Sequence, residues 1–179
     1  MKELLVVIDM QNDFVTGSLG TKEACAITEK VRQKILSWTA EGERVVLPCT
    51  HGENYLETQE GRKLPITHCI RGSEGWEIIP QLQPFAGDSR IFDKPAFGSV
   101  ELAEYIRDGG YEAVEMIGVC TDICVVSNAL LVKAYVPEAA GFGGCVLLCW
   151  RHFREPSCGI MYNENVPDFS KIEKNMVKM

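Results

Sequence analysis

Residues 113–117 form a mainly apolar run. It leads into Gly118-Val119-Cys120-Thr121-Asp122-Ile123-Cys124 and then into residues 125–134, where Val125, Val126, Ala129, Leu130 and Val132 fall at helical spacing. A buried strand that turns directly into a helix needs a sheet beside it and a covering layer above it. A thiol at this junction lies near the helix N-terminus, where unpaired amide N–H groups and the helix dipole favour a thiolate and can stabilise an oxyanion. Two other apolar runs also end on charged residues: Val6-Val7-Ile8-Asp9-Met10-Gln11 and Ile91-Phe92-Asp93-Lys94-Pro95-Ala96-Phe97. With the strands as parallel neighbours, Asp9, Lys94 and Cys124 meet at the carboxyl edge of one sheet, where open α/β sheets bind ligands.

The rest of the chain fits that plan. Residues 4–8 are continuously aliphatic, as a central parallel strand covered on both faces requires. Residues 23–40 have helical spacing (Ala26, Ile27, Val31, Ile35, Leu36) and stop at Gly42, and residues 44–48 read as the second strand. Residues 49–91 are long and irregular, with room for short helices only, and their Trp76, Ile78, Ile79 and Leu82 predict that they pack. Ser99 can cap a helix running to residue 107, ended by Gly109-Gly110. Strands alternating with helices predict a three-layer α/β fold, a mainly parallel central sheet flanked by helices. The 179 residues suit a single domain, 1–179, with no internal repeat or linker to divide it.

Composition narrows the function. A net charge of −7 with no basic stripe argues against nucleic acid as a partner. No apolar stretch approaches the ~20 residues of a transmembrane helix, and the apolar start is broken by Asp9, unlike a signal peptide. The eight cysteines are therefore read as reduced thiols of a cytoplasmic protein. Cys120 and Cys124 are spaced C-x-x-x-C, which differs from a thioredoxin-type pair.

Three strings occur in order: Val7-Ile8-Asp9-Met10-Gln11-Asn12-Asp13-Phe14, Lys94-Pro95-Ala96-Phe97-Gly98-Ser99, and Gly118-Val119-Cys120-Thr121-Asp122-Ile123-Cys124-Val125. Together they resemble the isochorismatase-like cysteine hydrolases, a family that includes nicotinamidases, and the resemblance runs over residues 4–139. Taken singly, a Cys after a strand is more often an inert small hydrophobe, an Asp there a turn residue and a Lys surface decoration. Their joint occurrence reverses that reading. The chemistry needs a thiolate nucleophile at Cys124 with its pKa below the ~8.5 of a free thiol. Asp9 would take the thiol proton and return it to the leaving amine, and Lys94 would hold the Asp9 carboxylate. The resemblance implies these same roles. It also implies a cis peptide between Val119 and Cys120, with the backbone N–H groups of Cys120 and Cys124 as an oxyanion hole. Phe14 and Trp76 would wall a pocket for a flat ring, as in nicotinamidase-like members.

The irregular region holds Thr50-His51-Gly52-Glu53-Asn54-Tyr55 and Pro65-Ile66-Thr67-His68-Cys69-Ile70-Arg71-Gly72. These resemble the nicotinamidase-type metal segments, with His51 and His68 matching and Cys49 standing where the family usually has Asp. A thiolate with two imidazoles suits zinc and suits a hard, oxygen-preferring ion poorly. The bare reading of the same residues is two partly exposed loop histidines. The activity implied is hydrolysis of a small amide C–N bond through a Cys124 thioester, with nicotinamide to nicotinate and ammonia as the leading substrate. Other small amides or carbamoyl compounds are the alternative. An inactive protein keeping the fold as a binding module is the rival from another class.

From Gly141 the chain reads Gly-Phe-Gly-Gly-Cys-Val-Leu-Leu-Cys-Trp and departs from the family ending. One codon choice for residues 141–169, read one nucleotide later, encodes a string beginning ALVDASCCAGVTSGSH that resembles that ending. Residues 141–179 thus read as a frameshifted tail. In it residues 145–150 could serve as a replacement strand, and residues 151–179 are expected to lack the family's final helix. Apolar sheet surface left uncovered would favour association into a homo-oligomer.

Overall fold

A computed structural model describes residues 2–38 and 42–137 of the chain. Among these residues the sheet has four strands, β1 (Glu3–Ile8), β2 (Glu43–Leu47), β3 (Arg90–Ile91) and β4 (Ala113–Gly118), in the order β3-β2-β1-β4. Every pairing is parallel, and β1 lies between β2 and β4 with Ile8 opposite Leu47 on one side and Gly118 on the other. Side chains alternate across a strand, so β1 feeds two cores at once. Leu4, Val6 and Ile8 join Leu102, Ala103, Ile106 and Val132 on one face, while Leu5 and Val7 join Ala24, Ile27, Val31 and Ile35 on the other. This two-sided burial is why β1 is aliphatic throughout, and it makes the predicted three layers.

The helices are α1 (Asn12–Val15), α2 (Lys22–Ser37), α3 (Gln59–Lys63), α4 (Gln83–Ala86), α5 (Val100–Gly109) and α6 (Val126–Tyr135). α2 buries Ala24, Ile27, Val31 and Ile35, a single stripe at spacings of three and four. Burying Ile27, Val31 and Ile35 contributes roughly 1.5–3 kcal/mol each. Thr21 Oγ1 accepts from the Ala24 N–H at 3.0 Å and Ser99 Oγ from the Leu102 N–H at 3.1 Å, capping α2 and α5. Gly110, at φ 64°, is the left-handed residue that ends α5. α2 stops at Ser37, three residues short of the sequence expectation, and residues 39–41 lie outside the described set. The tail expectations, at residues 141–179, also lie outside it. Among the described residues no helix is long and apolar enough to cross a membrane.

Each strand delivers a polar or thiol group at its carboxyl end: Asp9 after β1, Cys49 after β2, Lys94 after β3, and Cys120 to Cys124 after β4. Short bonds hold these ends together. The Asp9 N–H donates to the Leu47 carbonyl at 3.1 Å, Lys94 N–H to Pro48 at 2.9 Å and Val119 N–H to Ile8 at 3.1 Å. Gly118 has φ 121°, and a Cβ there would lie 2.0 Å from the Ile8 carbonyl oxygen, so only glycine lets β4 approach β1 at this edge.

Candidate active site

Asp9 has φ 53°, a left-handed conformation that costs a non-glycine residue on the order of 1 kcal/mol. Its carboxylate is 1 % exposed and lies 2.8 Å, through Oδ2, from the Nζ of Lys94, which is 0 % exposed. The same ammonium donates to Cys124 Sγ at 3.6 Å, and Cys124 is 7 % exposed. The three residues meet where the sequence reading put them. A single turn of π-helix, Thr121–Val125, carries Cys124 into α6, and the Val119–Cys120 peptide is cis. Asn128, one turn further along α6, donates to the Cys124 and Phe97 carbonyls at 2.7 and 3.0 Å and accepts from the Ser99 N–H at 2.9 Å. It ties the thiol's turn to the segment that follows Lys94.

Electrostatics corrects one expectation. Burial raises the Asp9 carboxyl to about 6, with Lys94 opposing and the negative Cys49 adding to the rise. Burial, then the Asp9 charge, pushes the Cys124 thiol well above its ordinary value, although Lys94 pulls the other way. The resting site therefore holds a neutral thiol beside a carboxylate, in place of the preformed thiolate that the helix N-terminus suggested. Seven of every hundred units of its surface reach solvent, too few to hydrate a charge. Burial also works against the Lys94 charge, but the Asp9 carboxylate, helped by the negative Cys49, outweighs it and raises its pKa. Lys94 stays an ammonium at any working pH.

The second cluster adjoins the first. Cys49, His51 and His68 are all buried, and their ligand atoms lie within 4.8 Å of one another. Cys49 Sγ is 3.2 Å from His51 Nε2. His68 Nδ1 bonds the Ile66 carbonyl at 2.8 Å, which turns Nε2 toward the cluster and within 4.0 Å of Glu60 Oε1. Cys49 is lowered well below the ordinary thiol value, foremost by a hydrogen bond from the Cys69 thiol, against burial and with His51, His68 and Lys94 helping. Cys69, the donor of that bond, is raised. One thiolate and two imidazole nitrogens at this spacing form a donor set able to hold a metal ion, and their softness fits zinc. The histidines are buried, unlike the partly exposed pair that the bare sequence allowed.

Phe14 meets His68 edge-on at a centroid distance of 5.5 Å, which sets it at the wall of this cluster. Trp76 Nε1 donates to Thr50 Oγ1 at 2.8 Å, Thr50 donates on to Asp93 at 2.8 Å, and Arg71 pairs with Asp93 at 2.8 Å. Trp76 is thereby held beside residue 50, between the two metal-type ligands of the first segment. Sequence reasoning passed over Tyr55, whose ring lies 4.6 and 4.9 Å from those of His51 and His68. It also passed over Gln11, Asn128 and Cys69. Asn128 could have been found as the residue four after Cys124 on the same helix face, whereas Tyr55 and Cys69 carry no comparable signal.

A family model described as Isochorismatase domain matches residues 3–134. A nicotinamidase/pyrazinamidase of Mycobacterium tuberculosis is 26% identical over 161 residues, covering 76% of this chain and 86% of that protein. The structure is similar to that of a pyrazinamidase of Pyrococcus horikoshii in complex with zinc, at TM-score 0.64 and 30% identity over 75% of this chain and 80% of that one. It is also similar to an N-carbamoylsarcosine amidase of Thermoplasma acidophilum, at TM-score 0.70 and 25% identity over 86% and 87%.

Proposed function

The chain belongs to the isochorismatase family, and from that premise we propose that it is a cysteine-dependent amidohydrolase acting on a small aromatic amide, nicotinamide first, to give the acid and ammonia. The observation that carries this reading is the buried Asp9–Lys94–Cys124 cluster, with its 2.8 and 3.6 Å contacts at the carboxyl edge of the sheet.

Chemistry follows from the charges. Above pH ~6 Asp9 is ionised and Cys124 is a thiol. As Cys124 Sγ bonds to the amide carbon, its proton passes to Asp9, and the Lys94 ammonium keeps the pair's charges balanced. The carbonyl oxygen gains negative charge and is held by the Cys120 and Cys124 N–H groups. Asp9 returns the proton to the nitrogen, the C–N bond breaks, and ammonia leaves a Cys124 thioester. A water molecule gives its proton to Asp9 as it attacks the thioester carbon. The C–S bond then breaks, the thiol regains the proton and the acid departs. Phe14 and Trp76 flank the ring.

The fit of Cys49, His51 and His68 to zinc supports a metal at this second cluster, where they would hold it. When bound, such an ion supplies a Lewis-acidic anchor for a heteroaromatic ring nitrogen or for water. The likeness to an N-carbamoylsarcosine amidase favours a second reading, a small carbamoyl compound cut by the same three residues. Ammonia release measured side by side from nicotinamide and from N-carbamoyl amino acids separates the two.

A further inference from the structure

Three loop segments around the second cluster, at Cys49, at Cys69 and at residues 74–77, are tied to one short segment, Gln11-Asn12-Asp13, immediately after Met10. Gln11 is completely buried. Its Nε2 donates to the Cys49 carbonyl at 2.8 Å and the Trp76 carbonyl at 2.7 Å, and its Oε1 accepts from the Cys49 N–H at 2.8 Å. A carboxamide that bonds both polar groups of one residue's main chain does the work of a neighbouring strand. It does so at Cys49, just past the end of β2. Asp13 acts on the other ligand segment. Its Oδ2 accepts from the Cys69 N–H at 2.7 Å and its Oδ1 from the Ser18 N–H and Oγ at 3.2 and 3.1 Å. Cys69, left-handed at φ 47°, follows His68 and accepts the His51 N–H on its carbonyl at 2.9 Å. Asn12 Nδ2 donates to the Glu74 carbonyl at 2.8 Å, and its N–H to Glu77 at 2.9 Å. A Cβ on Gly75 would lie 2.1 Å from Asp13 Oδ2, so a larger residue there would have to displace the carboxylate.

We propose that Gln11 and Asp13 are positioning residues that assemble the metal pocket, Gln11 setting Cys49 and Asp13 setting the His68–Cys69 turn. The inference rests on the metal reading above for its ligand, but not for its geometry. The ligands come from two stretches of chain with little regular structure, and loops of this kind do not hold three side chains at ion spacing by themselves. Gln11 and Asp13 join both stretches to the segment that begins at Asp9. The spacing of the metal pocket and its distance from Asp9 are thereby fixed together. Outer partners of this kind typically change metal affinity 10–100-fold when removed.

The test compares Gln11→Leu, Gln11→Glu and Asp13→Ala with the wild type. Two quantities are read in proteins of matching circular dichroism: zinc affinity by chelator competition, and the iodoacetamide alkylation rate of Cys49 in metal-free protein, with Cys124 as control. Gln11→Glu keeps the acceptor for the Cys49 N–H but turns an oxygen toward the Cys49 and Trp76 carbonyls, so it too should weaken zinc and speed Cys49 alkylation. Gln11→Leu and Asp13→Ala should weaken zinc roughly 10–100-fold, and Gln11→Leu should speed Cys49 alkylation roughly tenfold with Cys124 unchanged. Unchanged zinc affinity with unchanged Cys49 reactivity overturns the proposal, as does equal acceleration at Cys49 and Cys124. If the wild type binds no zinc, the metal reading fails while the alkylation rates still decide the clamp. If Gln11→Leu does not fold, Gln11→Glu carries both measurements.

Discussion

Replacing Lys94 with methionine should destabilise the protein in a strongly pH-dependent way. Asp9 is buried and its carboxyl is raised from 3.8 to about 6, so the stability it contributes is present below 3.8 and lost as pH rises through about 6. That loss is about 3 kcal/mol in the wild type. The Lys94 ammonium at 2.8 Å keeps it this small. At an effective dielectric constant of about 20 the pair interacts by roughly 6 kcal/mol, more than four pKa units, so without Lys94 the carboxyl keeps its proton through pH 8. Holding a proton over the roughly four units between its unfolded value and pH 8 costs about 6 kcal/mol in place of about 3. At pH 5 Asp9 is protonated in both folded proteins, and this difference vanishes. Lys94 is an ammonium at both pH values, and the Cys49 and Cys124 thiols that also feel its charge titrate outside this window, Cys49 below it and Cys124 above it. Urea unfolding should therefore find Lys94→Met about 3 kcal/mol more destabilised at pH 8 than at pH 5. A stability difference that is the same at both pH values would show that Lys94 does not set the charge of Asp9.

Activity should rise with pH through about 6, because Asp9 accepts a proton only when ionised; the acid limb of kcat/KM measures this, and a limb near 4 would contradict the buried setting. Asp9→Asn should lower kcat by about 10²–10⁴ or more while leaving the fold intact, read by ammonia release and circular dichroism. Purified protein should carry roughly one zinc per chain, and Cys49→Ser should weaken it. Cys49→Asp should keep a site but shift preference toward harder ions, followed by metal analysis after competition.

The layers of the fold were legible because β1 and α2 have to hide particular side chains. Leu4 to Ile8 serve two cores, and the stripe Ala24, Ile27, Val31, Ile35 serves one. The meeting of Asp9, Lys94 and Cys124 was legible because each closes an apolar run, and parallel strands bring such ends to one edge. The charge state of Cys124 was not. A helix N-terminus argues for a thiolate, but burial and Asp9 outweigh it, and burial is a property of the packed whole. Gln11 was missed for a related reason: its three bonds go to Cys49 and Trp76, far along the chain, through loops without periodicity.

The measurement that bears most directly on the whole account is ammonia release from nicotinamide by the wild type and by Cys124→Ala at pH 7.5. Steady turnover is expected of the wild type, none above background of Cys124→Ala, and a nicotinoyl adduct on Cys124 when the wild-type reaction is quenched with acid. Equal ammonia release by the two proteins would contradict the thioester route, and absence of release by the wild type from nicotinamide and carbamoyl substrates alike would contradict the assignment as an amidohydrolase.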